Sequence, residues 1–216
     1  DFSMTAFIAN DPGDIAALSQ LTAAELNDVM VRTYKTWLTS LRRATWIDPA
    51  DGVIAMSGKA YFMDTPLMPF DRYHLENYMG ALDAPGEWFL NRQGELYYIP
   101  RPGENMATAE VIAPVAEKLI TIQGAPGNGQ YAEYLRFEGI GFAHTKHDTP
   151  PEGYMYGQAA SSIGTPLPAV IEFKGSRHIE FEHNEIYNIA RYAVSVELGA
   201  DHIAIRHNYM HDLGAG

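Results

Sequence analysis

Residues 169–184 read AVIEFKGSRHIEFEHN, and residues 193–208 read AVSVELGADHIAIRHN. At an offset of 24, the two stretches share seven of their sixteen residues, including Gly175, His178 and Asn184 of the first stretch. Short β-type runs that return with a period in the low twenties are typical of a coiled β-solenoid, in which each repeat stacks on its neighbour. The repeat therefore predicts that this part of the chain forms stacked rungs.

The alternation of apolar and polar residues sets the register between rungs. At the offset of 24, Phe181 matches Ile205, and both are expected to point inward. In the preceding strand the same offset would place Glu197 where Phe173 stands, whereas an offset of 23 matches Phe173 with Val196. Because a slip of one residue turns a strand inside out, we predict the offset of 23 there, with the extra residue in the following turn.

Polar residues that recur with the repeat are expected to belong to the scaffold. Asn184 and Asn208 stand at the same place in successive rungs, where stacked amides hydrogen-bond neighbouring backbone, so we predict an internal asparagine ladder. Two histidine pairs recur in the same way, His178/His202 and His183/His207. This recurrence favours a structural role for the histidines over a metal site.

Residues 1–110 are predicted to form an N-terminal cap that leads into the rungs, and residues 111–216 the rungs themselves, truncated at the C-terminal end. Thr22 and Glu25 have the spacing of a capping box, which predicts a helix over 22–30. The remaining predictions for the cap are a short helix over Tyr73–Met79, hairpins over 46–56 and 85–100, and inward packing of Trp37, Trp46 and Trp88.

Composition excludes several classes of function. The net charge of −12 repels nucleic-acid phosphates, and it also disfavours an acidic polymer as substrate. The absence of cysteine excludes disulfides and thiolate chemistry. No apolar run approaches the roughly 18 residues of a membrane span. We find no glycine motif for nucleotides and no convincing metal-ligand spacing, so we predict no cofactor and no metal.

Segments throughout the chain resemble those of right-handed parallel β-helix proteins. They are ALDAPGEWFL at 81–90, GELYYIPRPGE at 94–104, EVIAPV at 110–115, RFEGIGFAHT at 136–145 and HDLGAG at 211–216. Over roughly residues 30–216 the chain is similar to glycoside hydrolase family 141, which includes fucosidase and xylanase activities.

The resemblance implies an all-β fold, a right-handed parallel β-helix with an N-terminal cap of strands and a short helix. It further implies hydrolysis of a plant or microbial polysaccharide by paired carboxylates, in an extracellular or periplasmic protein, although no signal peptide is visible. The segments mark the fold better than the substrate.

Asp212 is the first candidate for a catalytic carboxylate. It is expected at a corner between rungs, after inward Met210 and outward His211, where the previous rung has Asn188. Glu197, outward after its strand, is the second candidate within the chain. The alternative roles are a turn-capping aspartate and a solvated surface glutamate. We expect the partner acid to lie beyond Gly216 and the fragment to be inactive.

Substrate contacts are expected from two places. His211 and His144 would lie at the same corner as Asp212, in different rungs, with exposed turn histidines as the alternative. The long insert at 146–168 is predicted to form a wall of the groove, since inserts in a solenoid gather on one face. Its expected sugar-binding side chains are Tyr154, Tyr156 and Gln158.

Two rival functions remain open. A polysaccharide lyase on the same fold would need a basic residue as proton abstractor, and Arg206 and Arg191 are the groove-side candidates. The acidic balance of the chain counts against a lyase. The other rival is a non-catalytic carbohydrate-binding or surface solenoid.

Overall fold

The computed structural model describes residues 4–35, 38–60, 67, 71–156 and 167–215. The chain divides into two compact units. The first comprises Asp1–Glu110 and Thr149–Pro166, and the second comprises Val111–Asp148 and Leu167–Gly216. Each unit has its own buried apolar core.

Strands make up most of the regular structure. The strands up to residue 100 are β1 (Ala6–Ile8), β2 (Met30–Lys35), β3 (Leu38–Asp48), β4 (Val53–Met56), β5 (Arg72–Glu76), β6 (Trp88–Leu90) and β7 (Leu96–Tyr98). The later strands are β8 (Ile120–Gln123), β9 (Ala132–Glu133), β10 (Arg136–Glu138), β11 (Gly141–Ala143), β12 (Tyr154–Tyr156), β13 (Ala169–Lys174), β14 (Ser176–Glu182), β15 (Glu185–Tyr187), β16 (Tyr192–Val196), β17 (Asp201–Arg206) and β18 (Tyr209–Met210). The helices are short: α1 (Gly13–Ala16), α2 (Ala23–Leu26) and 3-10 turns at Ala17–Gln20, Met79–Ala81 and Pro126–Asn128.

The first unit is built on an antiparallel sheet in the order β1-β4-β3-β2-β5, with the separate hairpin β6–β7. Both predicted hairpins are confirmed, since β3 pairs with β4 and β6 pairs with β7. The capping box at Thr22 and Glu25 is also confirmed, but the helix it starts ends at Leu26 rather than near residue 30.

The predicted helix over Tyr73–Met79 is wrong. Residues Arg72–Glu76 form β5, which pairs antiparallel with β2 along its whole length. Leu75 is buried and Tyr73 packs against the core, while Arg72 and His74 are exposed. This alternation is the period of two that strands require, and it is present in the sequence.

The insert between rungs also differs from the expected loop. Its residues Tyr154–Tyr156 form β12, which pairs antiparallel with β3 of the first unit. Two arginines of β3 hold the residues before it: Arg42 Nη1 donates to the Glu152 carbonyl at 2.7 Å, and Arg43 Nη2 donates to the Thr149 carbonyl at 2.8 Å. The insert therefore extends a sheet of the first unit.

In the second unit the chain passes repeatedly through three parallel sheets. The first parallel sheet is β8-β13-β16, the second is β10-β14-β17 with β9 beside β14, and the third is β11-β15-β18. After β13, β14 and β15 the chain returns to the first parallel sheet with β16, and then to the second and third with β17 and β18. The chain is thus mainly β, with parallel sheets where the repeats predicted stacked rungs.

The predicted registers are confirmed. Phe173 pairs with Val196 in the first parallel sheet, an offset of 23, and Phe181 pairs with Ile205 in the second, an offset of 24. The additional residue lies in the turn between β16 and β17. The sheet order places Phe181 in the centre of the core, where its ring meets those of Phe142 at 5.6 Å and Phe173 at 6.0 Å between centroids.

The asparagine ladder is also confirmed, at the corner between the second and third parallel sheets. Asn184 is 2% exposed; its Nδ2 donates to the Phe137 carbonyl at 3.1 Å, and its Oδ1 accepts the Ile140 amide at 3.0 Å. One rung on, Asn208 Oδ1 accepts the Asn184 amide at 2.9 Å. Each side chain thereby satisfies backbone groups that the bend takes out of the sheet ladders.

Candidate functional site

The outward face of the third parallel sheet carries the densest group of polar and aromatic side chains near Asp212. Phe142 and Ile186 are buried in the core, with Met210 packed against it. Successive side chains of a strand point to opposite faces, so the residues on either side of these three face outward. These outward residues are Gly141, Ala143, Glu185, Tyr187, Tyr209 and His211.

The corner after this sheet is formed by one residue per rung: His144, Asn188 and Asp212. Their φ angles are 62°, 49° and 50°, all in the left-handed region. The His144 amide donates to the Asn188 carbonyl at 3.1 Å, and the Ile189 amide donates to the Asp212 carbonyl at 3.3 Å. The predicted alignment of the three residues is confirmed. Asn, Asp and His are the residues that tolerate this backbone conformation best, so the bend alone is a sufficient reason for their presence at this position.

His211 lies between two carboxylates. Its Nδ1 is 2.8 Å from Asp212 Oδ2, and its Nε2 is 3.2 Å from Glu185 Oε1. A neutral imidazole can donate from only one nitrogen, whereas an imidazolium donates from both. The arrangement therefore favours a protonated His211 that donates to both side chains.

The pKa of His211 agrees with a protonated ring. The hydrogen bond to Asp212, followed by the bond to Glu185, raises the pKa of His211 above its ordinary value. The side chains of Glu185 and Asp212 are 53% and 70% exposed. Within the described residues, neither carboxylate makes a further hydrogen bond through its second oxygen. We call Glu185, His211 and Asp212 the carboxylate–histidine cluster. In it, His211 favours its protonated form, and each carboxyl group has an exposed oxygen that can accept a hydrogen bond.

Aromatic rings surround the cluster. Tyr187 and His211 stack with centroids 5.5 Å apart and planes 4° apart, and Tyr209 lies 4.4 Å from His211 at 26°. His144 meets the edge of Tyr187 at 5.8 Å. Tyr209 is 63% exposed. The cluster therefore lies on an aromatic surface that is open to a ligand.

The structure brings Asp212, His211 and His144 to one corner region, but it does not bring Glu197 there. Glu197 follows the end of β16 and accepts a hydrogen bond from Ser195 Oγ at 3.2 Å. Asp212 aligns with Asn188, which precedes β16. The five residues of that strand alone span about 16 Å at roughly 3.3 Å per residue, too far for two carboxylates to act on one bond.

The tyrosines proposed as sugar contacts lie in the other unit. Tyr154 and Tyr156 belong to β12, in the sheet of the first unit. Gln158 lies outside the described residues.

Glu185 is the residue of the carboxylate–histidine cluster that the sequence analysis missed. Its counterparts in the neighbouring rungs are Gly141 and Tyr209, so it breaks the repeat just as Asp212 does. The same criterion that selected Asp212 would have selected Glu185. The sequence analysis instead predicted Glu197, or an acid beyond Gly216, as the partner of Asp212.

The two arginines considered as lyase bases are engaged elsewhere. Arg206 Nη2 lies 3.0 Å from Glu182 Oε1. Arg191 is buried, with Nη2 at 2.9 Å from Glu117 Oε2 and Nε donating to His147 Nδ1 at 3.1 Å. The described residues include no group of three or more His, Asp or Glu side chains that could hold a metal ion. In the same part of the chain, no helix has the length and apolar character needed to cross a membrane.

Comparison with known proteins gives a fold likeness. A solved structure of a glycoside hydrolase matches with a TM-score of 0.53 at 17% sequence identity. The match covers 91% of this chain and 45% of that one, so the chain spans about half the length of that protein. No family model matches the chain, and no curated protein matches its sequence. Identity at this level carries the fold alone, and the chain has a glycoside hydrolase-like fold.

Proposed function

We propose that this chain forms a right-handed parallel β-helix and belongs to a glycoside hydrolase similar to family 141, with Asp212 and Glu185 as its paired carboxylates. The observation that carries the proposal is the carboxylate–histidine cluster, in which two exposed acids hold one histidine on an outward aromatic surface. The glycoside hydrolase-like fold supports the reaction class. An extracellular or periplasmic location follows from a polysaccharide substrate.

Hydrolysis of a glycosidic bond needs one carboxyl group to protonate the leaving oxygen and a second to activate water or attack the sugar. Asp212 and Glu185 are each one hydrogen bond away from opposite nitrogens of the same ring, so two hydrogen bonds and the ring separate them. This separation exceeds the about 5–5.5 Å of a retaining pair and suits the about 6.5–9.5 Å of an inverting pair. The proposal therefore includes inversion at the anomeric carbon.

His211 has a positioning role in this scheme. As an imidazolium it donates to both carboxylates and fixes their orientation, and it supplies the proton that one of them passes to the leaving group. Tyr209, which is 63% exposed, offers a flat apolar surface to the C–H face of a sugar ring, and Tyr187 stacks on His211 beside it. The exposed acids would repel a uronic-acid polymer, so the substrate is a neutral plant or microbial polysaccharide.

The test is a survey of neutral polysaccharides with the full-length protein, in which the products are identified. We expect new reducing ends, no ultraviolet-absorbing unsaturated sugar, and an inverted anomeric proton when the reaction is followed by NMR before mutarotation. An unsaturated product would establish a lyase instead. Binding of sugar without any turnover would favour the non-catalytic solenoid, and a retained anomer would remove the pairing of Asp212 with Glu185.

A further inference from the structure

The first unit contains a cleft of about 820 Å³, and none of the catalytic or sugar-binding candidates considered above lines it. Its walls come from β5, from the segment 77–83 and from the start of the hairpin β6–β7. Trp88 on this wall is 65% exposed, which contradicts the expected inward packing of this residue. The prediction is also wrong for Trp46, 54% exposed, which lies outside the cleft, while Trp37 lies outside the described residues.

The cleft holds fixed hydrogen-bonding groups beside this tryptophan. Glu87 Oε2 accepts the backbone amides of Asp83 at 2.9 Å and Ala84 at 3.0 Å, and these bonds hold the pKa of Glu87 below its ordinary value. The carboxylate therefore stays ionised, and its Oε1 makes no hydrogen bond within the described residues. The Ile99 amide donates to the Glu87 carbonyl at 3.0 Å, which anchors this wall to the hairpin.

The opposite wall is fixed as well. The Tyr73 hydroxyl donates to Asp14 Oδ2 at 2.5 Å. Burial and this bond raise the pKa of Tyr73, so its hydroxyl keeps its proton. Tyr78 is also half-buried in the lining, and burial followed by the charge of Asp83 raises its pKa. The cleft thus combines neutral phenols with a carboxylate that has an accepting oxygen available.

The chemistry of this lining selects a ligand. A pyranose ring offers a C–H face that packs on an indole or phenol ring, and adjacent hydroxyls that donate to a carboxylate. Arg32 already pairs with Glu76, with Nη2 at 3.2 Å from Oε2, so the lining is less suited to an organic cation than its acid content implies. Its remaining negative charge opposes uronic or sulfated sugars.

We infer that this cleft is a second carbohydrate-binding site, which takes a neutral oligosaccharide through the Trp88 ring and the Glu87 carboxylate without catalysing its cleavage. The site lies wholly in the first unit and does not depend on the carboxylate–histidine cluster. It would hold a polysaccharide chain on the protein independently of the reaction.

The experiment is calorimetric titration of the full-length protein with xylohexaose, cellohexaose and mannohexaose, and separately with hexagalacturonate and spermidine. At least one neutral hexasaccharide is expected to bind more tightly than the last two. Trp88→Ala should weaken that binding about tenfold or more, and Glu87→Gln about threefold to tenfold. Trp46→Ala is the matched control, because it removes another exposed indole that lies outside the cleft, and it should leave the affinity unchanged.

Two further measurements keep the outcome decisive. Tyr209→Ala removes a ring from the face of the third parallel sheet, so binding that survives this change and is lost in Trp88→Ala belongs to the cleft. The indole N–H resonance of Trp88 should shift during the titration of the unmutated protein, while that of Trp46 should not. The inference is overturned if no neutral hexasaccharide binds, if hexagalacturonate or spermidine binds more tightly, or if Trp88→Ala binds like the unmutated protein.

Discussion

Two corners of the second unit bend the chain after a parallel strand, but they use side chains of opposite character. At the corner between the second and third parallel sheets, Asn184 and Asn208 repeat, and Asn184 is buried with both its Oδ1 and its Nδ2 hydrogen-bonded to backbone. At the corner after the third sheet, the residue changes in each rung, from His144 to Asn188 to Asp212, and the last side chain is 70% exposed. At the buried corner, the hydrogen bonds to backbone require one particular side chain. At the exposed corner, only the backbone conformation is constrained, so the side chain can vary.

The largest expected effect concerns the two carboxyl groups of the carboxylate–histidine cluster, one of which lies at the exposed corner. Asp212→Asn and Glu185→Gln in the full-length protein should each lower kcat by about 10³–10⁵, or roughly 4–7 kcal/mol in activation free energy, because each removes a carboxylate that the reaction needs. The unfolding midpoint should change little, since asparagine tolerates the backbone of residue 212.

Glu197→Gln is the matched control for these variants, because it neutralises another exposed glutamate, just after the end of β16. Its kinetics should stay near those of the unmutated protein. If Glu197→Gln abolishes turnover while Glu185→Gln does not, the assignment of the second carboxylate is wrong.

The buried corner should show its importance in stability. Asn184→Ala leaves the Phe137 carbonyl and the Ile140 amide without their side-chain partner, so we expect the free energy of unfolding to fall by about 2–4 kcal/mol. Chemical denaturation measures this change. Asn188→Gly at the exposed corner is the comparison, and it should cost less than about 0.5 kcal/mol because glycine favours the left-handed region. Equal losses at the two corners would contradict the distinction between them.

The glycine that follows the exposed corner tests how tightly the rungs approach there. A Cβ on Gly214 would stand 2.3 Å from the Ala190 carbonyl oxygen, a contact that the backbone must relieve by moving. We expect Gly214→Ala to lower the free energy of unfolding by about 1–3 kcal/mol. Gly141→Ala on the third parallel sheet meets nothing within 4 Å and should change the stability by less than about 0.5 kcal/mol. An equally small loss of stability in Gly214→Ala would mean that the backbone at this corner can move to accommodate a Cβ atom.

The smallest expected effect is the pH dependence of the carboxylate–histidine cluster. The pKa of His211 is raised above its ordinary 6.5 in the folded protein, so its contribution to stability is complete below that value and is lost as the pH rises through the raised pKa. His211→Gln should therefore lower the unfolding midpoint more at about pH 5.5 than at about pH 9. In the Asp212→Asn background this difference should shrink, because the larger cause of the shift is gone. A difference that is independent of pH in both backgrounds would exclude a protonated His211.

Much of the second unit could be predicted because its information is repeated along the sequence. The offsets of 23 and 24 follow from keeping Phe173 and Phe181 inward, and the asparagine ladder follows from the recurrence of Asn184 and Asn208. The error at Tyr73 had a different origin: its alternation spans only five residues, and the apolar residues nearby favoured a helical interpretation.

Other features depend on contacts that local patterns do not encode. The pairing of Tyr154 with Leu41 joins residues far apart in sequence, so nothing near Tyr154 indicates that the insert extends the sheet of the first unit. The exposure of Trp88 likewise depends on which surface its three-residue strand presents. Glu185 is different, since it breaks the repeat at its own position, and the sequence alone is sufficient to mark it.

The left-handed bends also affect which amino acid substitutions a single mutation can introduce without disturbing the fold. Throughout the described parts of the chain, every non-glycine residue with a positive φ angle is Asn, Asp, His or Tyr. In the genetic code these four amino acids share their second and third codon positions and differ only in the first base. A single nucleotide change can therefore turn a bend-forming asparagine into an acid, an imidazole or a phenol while the residue still suits the bend. Each exposed left-handed bend is thus a position where a side chain with a different chemical group can replace asparagine at little cost in stability.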